Sequence, residues 1–107
     1  MVLKRPWLMF ILSGDKTMEV RGRALKPGRY YLGHKKLIYG EVVLGQAILF
    51  GTDDHWNATR DRHLVPAATR PYKKTFGLPI LSVTPYDKKF PYTHPQGAIG
   101  IVKYRQA

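Results

Sequence analysis

The chain has 107 residues, of which 44% are hydrophobic and 23% charged, values that fit one globular domain and exclude a disordered chain. Eighteen Lys and Arg stand against seven Asp and Glu, and the resulting formal charge of +11 indicates a polyanionic partner, most commonly nucleic acid. The sequence has no cysteine, which excludes disulfides and thiolate metal sites.

The first predicted element is a short helix over residues 6–13. Pro6 suits a first helical turn, where the N–H that it lacks would have no partner. An inward face is predicted by the apolar residues at i, i+3 and i+4, namely Trp7, Phe10 and Ile11. Gly14 is placed to end the helix in the left-handed conformation. The apolar run is far shorter than the about 20 residues of a membrane span, and no cleavage site follows it, so we expect a soluble cytoplasmic protein.

The second element is a strand over residues 16–23, in which charged and apolar side chains alternate. One face carries Thr17, Glu19, Arg21 and Arg23, and the other carries Met18, Val20 and Gly22. Isolated surface ion pairs contribute little to stability, so folding does not require an acid among three bases. A site that grips an anion, or that holds a carboxylate ionised, does require them.

The middle of the chain contains two more predicted strands. Pro27-Gly28 indicates a turn, and Arg29–Leu32 follows it as the second strand. The third strand spans Ile38–Phe50, where Gly40 and Gly45 indicate a bulge or a sharp bend.

The second half begins with a polar segment, residues 53–64, which predicts a short helix capped by Asp53 or Asp54 and ended by Pro66. Trp56 is interpreted as an anchor for this segment rather than as an exposed stacking platform. The last strands are predicted over Leu78–Val83 and Ala98–Tyr104. Short strands with frequent glycine and proline predict one domain over residues 1–107, mixed α+β and mainly β, built as a small barrel with one or two short helices.

The opening of the chain, R-P-W-L-M-F-I-L-S-G-D-K-T-M-E-V-R-G-R, resembles that of an ASCH domain, whose signature G-x-K-x-x-E-x-R follows a short helix. The residues that match the signature are Gly14, Lys16, Glu19 and Arg21. Later segments resemble the same family: K-P-G-R-Y-Y-L, G-E-V-V-L-G-Q-A-I-L, F-G-L-P-I-L and F-P-Y-T-H-P-Q-G-A-I-G-I-V-K-Y. The resemblance covers most of the chain and is weakest at residues 53–75.

This resemblance implies a PUA-like β-barrel, a cleft beside the signature strand, and RNA as the partner. One branch of the superfamily hydrolyses the amide of N4-acetylcytidine with a lysine, a threonine and a glutamate, and ribonuclease activity also occurs in the superfamily. In the amidohydrolase branch threonine occupies the position of Glu19, so Lys16 carries over and the nucleophile does not. Candidates for the downstream acid of that branch are Asp53, Asp54 and Asp61.

The residue chemistry alone makes Lys16 and Glu19 candidates for acid–base catalysis. Nearby positive charge and burial both lower the pKa of a lysine, and surrounding bases keep a carboxylate ionised as a general base or as an acceptor for a base edge. The alternative is structural, with Glu19 bridging Lys16 and Arg21 to fix the strand against the helix. Thr17 is predicted to point to the opposite face from Lys16.

Three clusters in which basic residues alternate with aromatic ones indicate contacts to single-stranded nucleic acid, because cations bind phosphates and flat rings stack on unpaired bases. They lie near residues 29–36, 70–74 and 86–92. The predicted nucleic-acid or ligand-binding residues, from these clusters and the signature strand, are Lys16, Glu19, Arg21, Arg23, Lys35, Lys36, Lys73, Lys74 and Tyr92.

The four histidines are scattered, and their spacing predicts neither a metal site nor a cofactor. The leading functional hypothesis is an RNA-binding domain whose cleft recognises a nucleotide or a modified base. One alternative is a small hydrolase that acts on a modified nucleoside or on RNA. Another is a protein-interaction module of a transcription or translation complex, which a large exposed apolar patch would favour.

Overall fold

The computed structural model describes residues 1–91, which form three short helices and five strands. In chain order these are α1 (Arg5–Leu12), β1 (Met18–Arg21), β2 (Gly28–His34), β3 (Leu37–Leu44), β4 (Ile48–Leu49), α2 (Asp53–Ala58), α3 (Arg60–His63) and β5 (Phe76–Pro91). The predicted mainly β fold with few helices is confirmed. The strand predicted over Ala98–Tyr104 lies outside the described residues.

The strands form one antiparallel sheet in the order β1-β5-β3-β2, with β4 beside β5, and the sheet curls into a half-barrel. The 16-residue β5 joins its two parts, pairing with β1 up to Pro79 and with β3 from Ile80 onward. A Cβ on Gly40 would lie 2.6 Å from the Thr84 carbonyl oxygen, so the close approach of β3 and β5 requires glycine there. The register shifts between Ile38 and Gly40, which confirms the predicted bulge.

Several predicted boundaries are wrong. The strand predicted over 38–50 is two strands, because the chain leaves the ladder after Leu44 and returns only for β4. The strand predicted over 78–83 is part of the much longer β5, which pairs with β1 and β4 at its start and with β3 beyond Pro79. The signature strand is shorter than residues 16–23, since only Met18–Arg21 pairs with β5.

Helix α1 packs on the sheet through Leu8 and Ile11, while Phe10 is 41% exposed. The inward face predicted from Trp7, Phe10 and Ile11 is therefore partly wrong, since the buried stripe begins one residue later. The predicted helix end is confirmed, because Gly14 has a φ of +85°.

The core divides into two groups of buried side chains. The larger lies between α1, the N-terminal segment and the sheet, and consists of Met1, Leu3, Leu8, Ile11, Leu25, Tyr30, Leu32, Val42, Leu44 and Leu78. The smaller lies between β1 and the helical segment, and consists of Met18, Val20, Phe50 and Trp56. The candidate site is built where β1 meets the N-terminal segment and α1.

The segment over residues 53–64 contains two short helices rather than one. Its first cap is Thr52, whose hydroxyl accepts the His55 backbone N–H at 3.1 Å, so the predicted capping by Asp53 or Asp54 is wrong. The second helix ends at Leu64, which has a left-handed φ of 62°. No helix within residues 1–91 combines the length and apolarity needed to cross a bilayer.

Trp56 anchors this segment, as predicted. Its side chain is fully buried, and its indole N–H donates to the Ala67 carbonyl at 2.8 Å. The ring stacks on His63 with 3.8 Å between the centroids. The helical segment is thereby held against β1.

The β2–β3 hairpin turns through Lys35 and Lys36, which have φ values of 48° and 62°. A two-residue loop with both φ values positive is a type I′ turn, which favours Asn-Gly. For a residue that has a Cβ, this left-handed conformation is about 1–2 kcal/mol less favourable than the right-handed one. The turn therefore carries two lysines at positions where local conformational preference disfavours them.

Candidate functional site

A pocket of about 320 Å³ lies between the N-terminal segment, α1, β1 and the loop that precedes β5. Its lining combines charged, aromatic and aliphatic side chains: Val2, Leu3, Lys4, Trp7, Lys16, Glu19, Val20, Arg21, Val65, Pro71 and Tyr72. Three of the four signature residues therefore face one cavity. We call it the signature pocket.

Lys16 reaches this pocket because it precedes β1 instead of belonging to it. Its backbone N–H donates to the Phe10 carbonyl at 2.9 Å, which ties the residue to the end of α1. Strict strand alternation from residue 16 would place Lys16 and Glu19 on opposite faces. The connection instead brings the Lys16 Nζ to 3.8 Å from the Glu19 Oε1, with both side chains almost fully buried.

The Lys16 ammonium group has three partners among the described residues. Besides the Glu19 carboxylate, it donates a hydrogen bond to the His63 backbone carbonyl, and it lies 4.9 Å from the centroid of the Trp7 ring. Burial lowers the pKa of Lys16, and Glu19 partly offsets this because its negative charge favours the ammonium form.

Arg21 holds the other side of Glu19. The two residues are separated by two positions on β1, so their side chains share a face. The Arg21 Nε and Nη2 atoms lie 3.0 Å and 2.9 Å from the Glu19 Oε2, and Nη2 also donates to the Val2 carbonyl at 3.0 Å. Glu19 thus sits between two cations, as the structural interpretation predicted, and Arg21 remains 25% exposed towards the pocket.

Tyr72 forms an aromatic wall at the mouth of the signature pocket and is 49% exposed. Its backbone N–H donates to the Thr75 hydroxyl at 3.1 Å, and the same hydroxyl donates to the Tyr72 carbonyl at 3.0 Å. The ring lies against Gly22, where a Cβ would be only 3.0 Å from the Tyr72 Cδ1. The absence of a side chain at Gly22 therefore lets this ring lie close to the end of β1.

The structure brings Lys16, Glu19 and Arg21 together and leaves the other predicted site residues outside the pocket lining. Arg23, Lys73 and Lys74 are exposed, the two lysines directly following Tyr72. Lys35 and Lys36 lie at the tip of the β2–β3 hairpin. Tyr92 lies outside the described residues.

Trp7 and Tyr72 are lining residues that sequence reasoning did not assign to the site. It placed Trp7 in the core, and it grouped Tyr72 with a basic cluster without selecting it. The cluster itself was the available signal, since an aromatic residue among cations is typical of nucleic-acid contacts.

The candidates for further catalytic groups do not converge on this pocket. Thr17 is exposed, in agreement with its predicted orientation, and does not line the cavity. Asp53 pairs with Arg70 at 2.9 Å, and Asp54 and Asp61 are exposed. Within residues 1–91, Glu19 is therefore the carboxylate of the signature pocket.

Two crystal structures of ASCH proteins from Zymomonas mobilis resemble this chain. A serine-to-alanine mutant of ZmASCH matches with a TM-score of 0.74 at 16% identity, over 99% of this chain and 87% of that chain. ASCH from the same organism matches with a TM-score of 0.66 at 18% identity, over 79% of this chain and 67% of that chain. No family model and no curated protein matches the sequence. The chain thus has the fold of an ASCH domain, as the signature predicted.

Proposed function

We propose that this protein binds RNA and that the signature pocket recognises one nucleotide or modified base. The observation that carries this proposal is the joining of a buried ion cluster and two aromatic side chains in one cavity of about 320 Å³. That volume is at the lower end of the roughly 300–1,000 Å³ of small-molecule sites, which suits a single nucleoside better than a longer segment.

The polar groups of the pocket match the edge of a base. Glu19 offers acceptor oxygens, while the partly exposed Arg21 offers guanidinium N–H donors. Their mutual hydrogen bonds fix both groups before a ligand arrives, so binding does not have to order them. A nucleobase presents donors and acceptors side by side, and single-stranded RNA exposes those edges.

The aromatic groups suit the flat face of the same ligand. Tyr72 is exposed at the mouth, and Trp7 is half-buried beside Lys16. Base–aromatic stacking contributes about 1–3 kcal/mol per base when measured by alanine substitution. The formal charge of +11 supports this function further, since cations attract the phosphates on either side of a bound base.

A titration tests this proposal with the four ribonucleoside monophosphates and short single-stranded RNAs at several salt concentrations. We expect affinity for RNA to fall as salt rises and Tyr72→Ala to weaken binding by about 5- to 100-fold, the equivalent of removing one stacked ring. The matched control is Leu81→Ala, which removes a side chain that is 67% exposed and does not line the signature pocket. Absence of RNA binding at low salt, or binding that salt does not change, contradicts the proposal.

A hydrolase that acts on a modified nucleoside or on RNA is a second candidate, favoured by the lowered pKa of the buried Lys16. The same ligands, together with N4-acetylcytidine, are incubated with the protein and analysed by mass spectrometry. Turnover that Lys16→Ala abolishes while RNA binding persists supports this candidate. Binding without turnover supports the recognition module alone.

A further inference from the structure

A second, smaller pocket of about 160 Å³ lies on the other side of α1 from the signature pocket. It is lined by Arg5, Leu8, Met9, Leu12, His34, Tyr39 and Lys89. Within the described part of the chain the two pockets share no lining residue, but Lys4 of the signature pocket and Arg5 of this one are neighbours in sequence. We call it the hairpin pocket, because His34 and Tyr39 lie near the turn of the β2–β3 hairpin.

The hairpin pocket combines an aromatic and aliphatic interior with a cationic rim. The Lys89 Nζ lies 4.8 Å from the centroid of the Tyr39 ring, which holds the ammonium group at the pocket wall. The His34 Nδ1 donates to the Leu3 carbonyl at 2.8 Å, which fixes the imidazole against the N-terminal segment. None of the described residues that line this pocket is Asp or Glu.

The adjacent turn adds two more cations, Lys35 and Lys36. Both are exposed, and both have positive φ values that favour glycine or asparagine over lysine. Stability alone does not favour this choice, because Asn-Gly forms the same turn with less strain. An unfavourable local conformation that places two charges beside a basic pocket points to a functional surface.

We infer that the hairpin pocket binds a further phosphodiester and base of the RNA strand whose nucleotide is held in the signature pocket, so that single-stranded RNA crosses the exposed side of α1. This inference rests on the proposed function. On the exposed surface of α1, Met9 lies at the edge of the hairpin pocket and Phe10 lines neither pocket, and the two are 48% and 41% exposed. Apolar side chains there suit contact with a sugar or with the face of a base, and the flanking cations suit phosphates.

The test compares two double variants that each remove one Lys and one Arg. Arg5→Gln/Lys89→Gln removes two cations that line the hairpin pocket. Lys26→Gln/Arg62→Gln removes two exposed cations that line neither pocket, which makes it the matched control. The probes are the four ribonucleoside monophosphates and the pentanucleotides of the same four bases, titrated from low to physiological salt.

We expect the Arg5/Lys89 variant to bind the best pentanucleotide about 5- to 10-fold more weakly at low salt, with a salt slope reduced by roughly 0.7 for each phosphate that is no longer neutralised. Its affinity for the best mononucleotide should stay within about twofold of wild type, because the signature pocket is intact. The Lys26/Arg62 control should bind both probes within about threefold of wild type.

Three other results would overturn the inference. Equal losses of pentanucleotide affinity in the two double variants overturn the inference and leave the proposed function standing. An equal loss for mononucleotide and pentanucleotide in the Arg5/Lys89 variant also overturns it, since the cations would then act on the first nucleotide. If wild type binds no probe, the proposed function fails and the inference fails with it.

Discussion

The same interaction, an arginine paired with a carboxylate, occurs in two regions of this molecule with very different surroundings. Arg21 and Glu19 approach to 2.9 Å on β1, and Arg70 and Asp53 approach to the same distance near α2. The Glu19 side chain is 7% exposed, whereas that of Asp53 is 46% exposed. Distance alone therefore does not distinguish the two pairs, and burial does.

Burial changes what each pair contributes. Hydrogen bonds from the Arg70 backbone and side chain lower the pKa of Asp53, but water screens this pair and limits its contribution to stability. Around Glu19 the ions have lost most of their hydration, so removal of one partner leaves charge without compensation. The buried pair also lines a cavity, which makes it available to a ligand as a fixed donor and acceptor.

The largest expected effect comes from removing the negative charge of each pair in turn. Glu19→Gln leaves the buried Lys16 ammonium without its counter-charge, and we expect it to lower the free energy of unfolding by about 3 kcal/mol. Asp53→Asn removes the same charge from the exposed pair, and its effect should be several times smaller. Thermal and urea unfolding of both variants measure the difference. Similar losses of stability in the two variants would show that burial does not separate these pairs.

The structural interpretation of Glu19 also makes a prediction about ligands. If the carboxylate only stabilises the fold, the folded fraction of Glu19→Gln binds nucleotides as wild type does. If Glu19 accepts a hydrogen bond from a base, the affinity of the variant falls even where the protein is fully folded. Titration below the unfolding transition separates these cases.

A smaller effect on stability is expected when pH is varied. The two histidines to compare are His63, which is buried, and His55, which is exposed. The backbone carbonyl of His63 accepts the hydrogen bond from Lys16, and its side chain is buried. The imidazole Nε2 donates to the Trp56 carbonyl at 3.0 Å, and Nδ1 accepts from the Val65 N–H at 2.9 Å. Burial lowers the pKa of His63 below its ordinary value of 6.5. If Nδ1 were protonated, its N–H would face the Val65 N–H, and this hydrogen bond would be lost.

The sign of the pH effect follows from that lowered pKa. The unfolded chain binds a proton at this histidine more readily than folded His63 does. The stability that His63 contributes is therefore complete above about pH 6.5 and is lost as pH falls towards its folded pKa. His63→Asn retains an acceptor near the Nδ1 position and should remove this loss, although it lowers stability. His55→Asn, at an exposed position of α2, should leave this contribution of His63 unchanged. Thermal unfolding at about pH 7.5 and 5.5 measures all three proteins.

The fold was predictable where local chemistry decides the structure. Gly14 ended a helix because a left-handed position favours glycine, and Gly40 marked a bulge because two strands approach there. The division of residues 38–50 was only partly predictable: Gly45 indicated a bulge or a bend directly after the residue where β3 ends, but a glycine in an apolar run does not tell a bulge from the end of strand pairing. The length of β5 was missed because the predicted strand ended at Val83, just before Pro85, yet β5 continues through Pro85 beside a register shift.

The candidate site was predictable only in part. The spacing of Lys16, Glu19 and Arg21 identified the cluster, but alternation wrongly separated the first two, because the position of Lys16 depends on a tertiary hydrogen bond to Phe10. Tyr72 enters the pocket from a loop some 50 residues away in sequence, a distance that short-range patterns do not bridge. Its packing against Gly22 is equally non-local.

The contact between Gly22 and Tyr72 gives the prediction with the smallest expected effect, and it tests the exposed side of the site alone. The backbone at Gly22 is outside the left-handed region, so Gly22→Ala introduces only a methyl group at 3.0 Å from the Tyr72 ring. Because Tyr72 is half-exposed, the ring can turn towards solvent, and we expect little loss of stability. A displaced ring stacks less well, which predicts about threefold weaker nucleotide binding, within the range of one weakened stacking interaction.

Gly51→Ala is the matched control, because a Cβ at that exposed position meets no atom within 4 Å. It should change neither stability nor affinity. If Gly22→Ala binds nucleotides as Gly51→Ala does while Tyr72→Ala weakens binding, the ring contributes wherever it lies and its close packing on β1 is incidental. If Gly22→Ala lowers stability as much as Glu19→Gln, the Tyr72 ring cannot move into solvent and is held as rigidly as the buried ion pair. We expect weaker nucleotide binding at unchanged stability. This result would show that Tyr72 is a movable side chain at the mouth of the pocket, whereas the buried ions Lys16 and Glu19 are fixed.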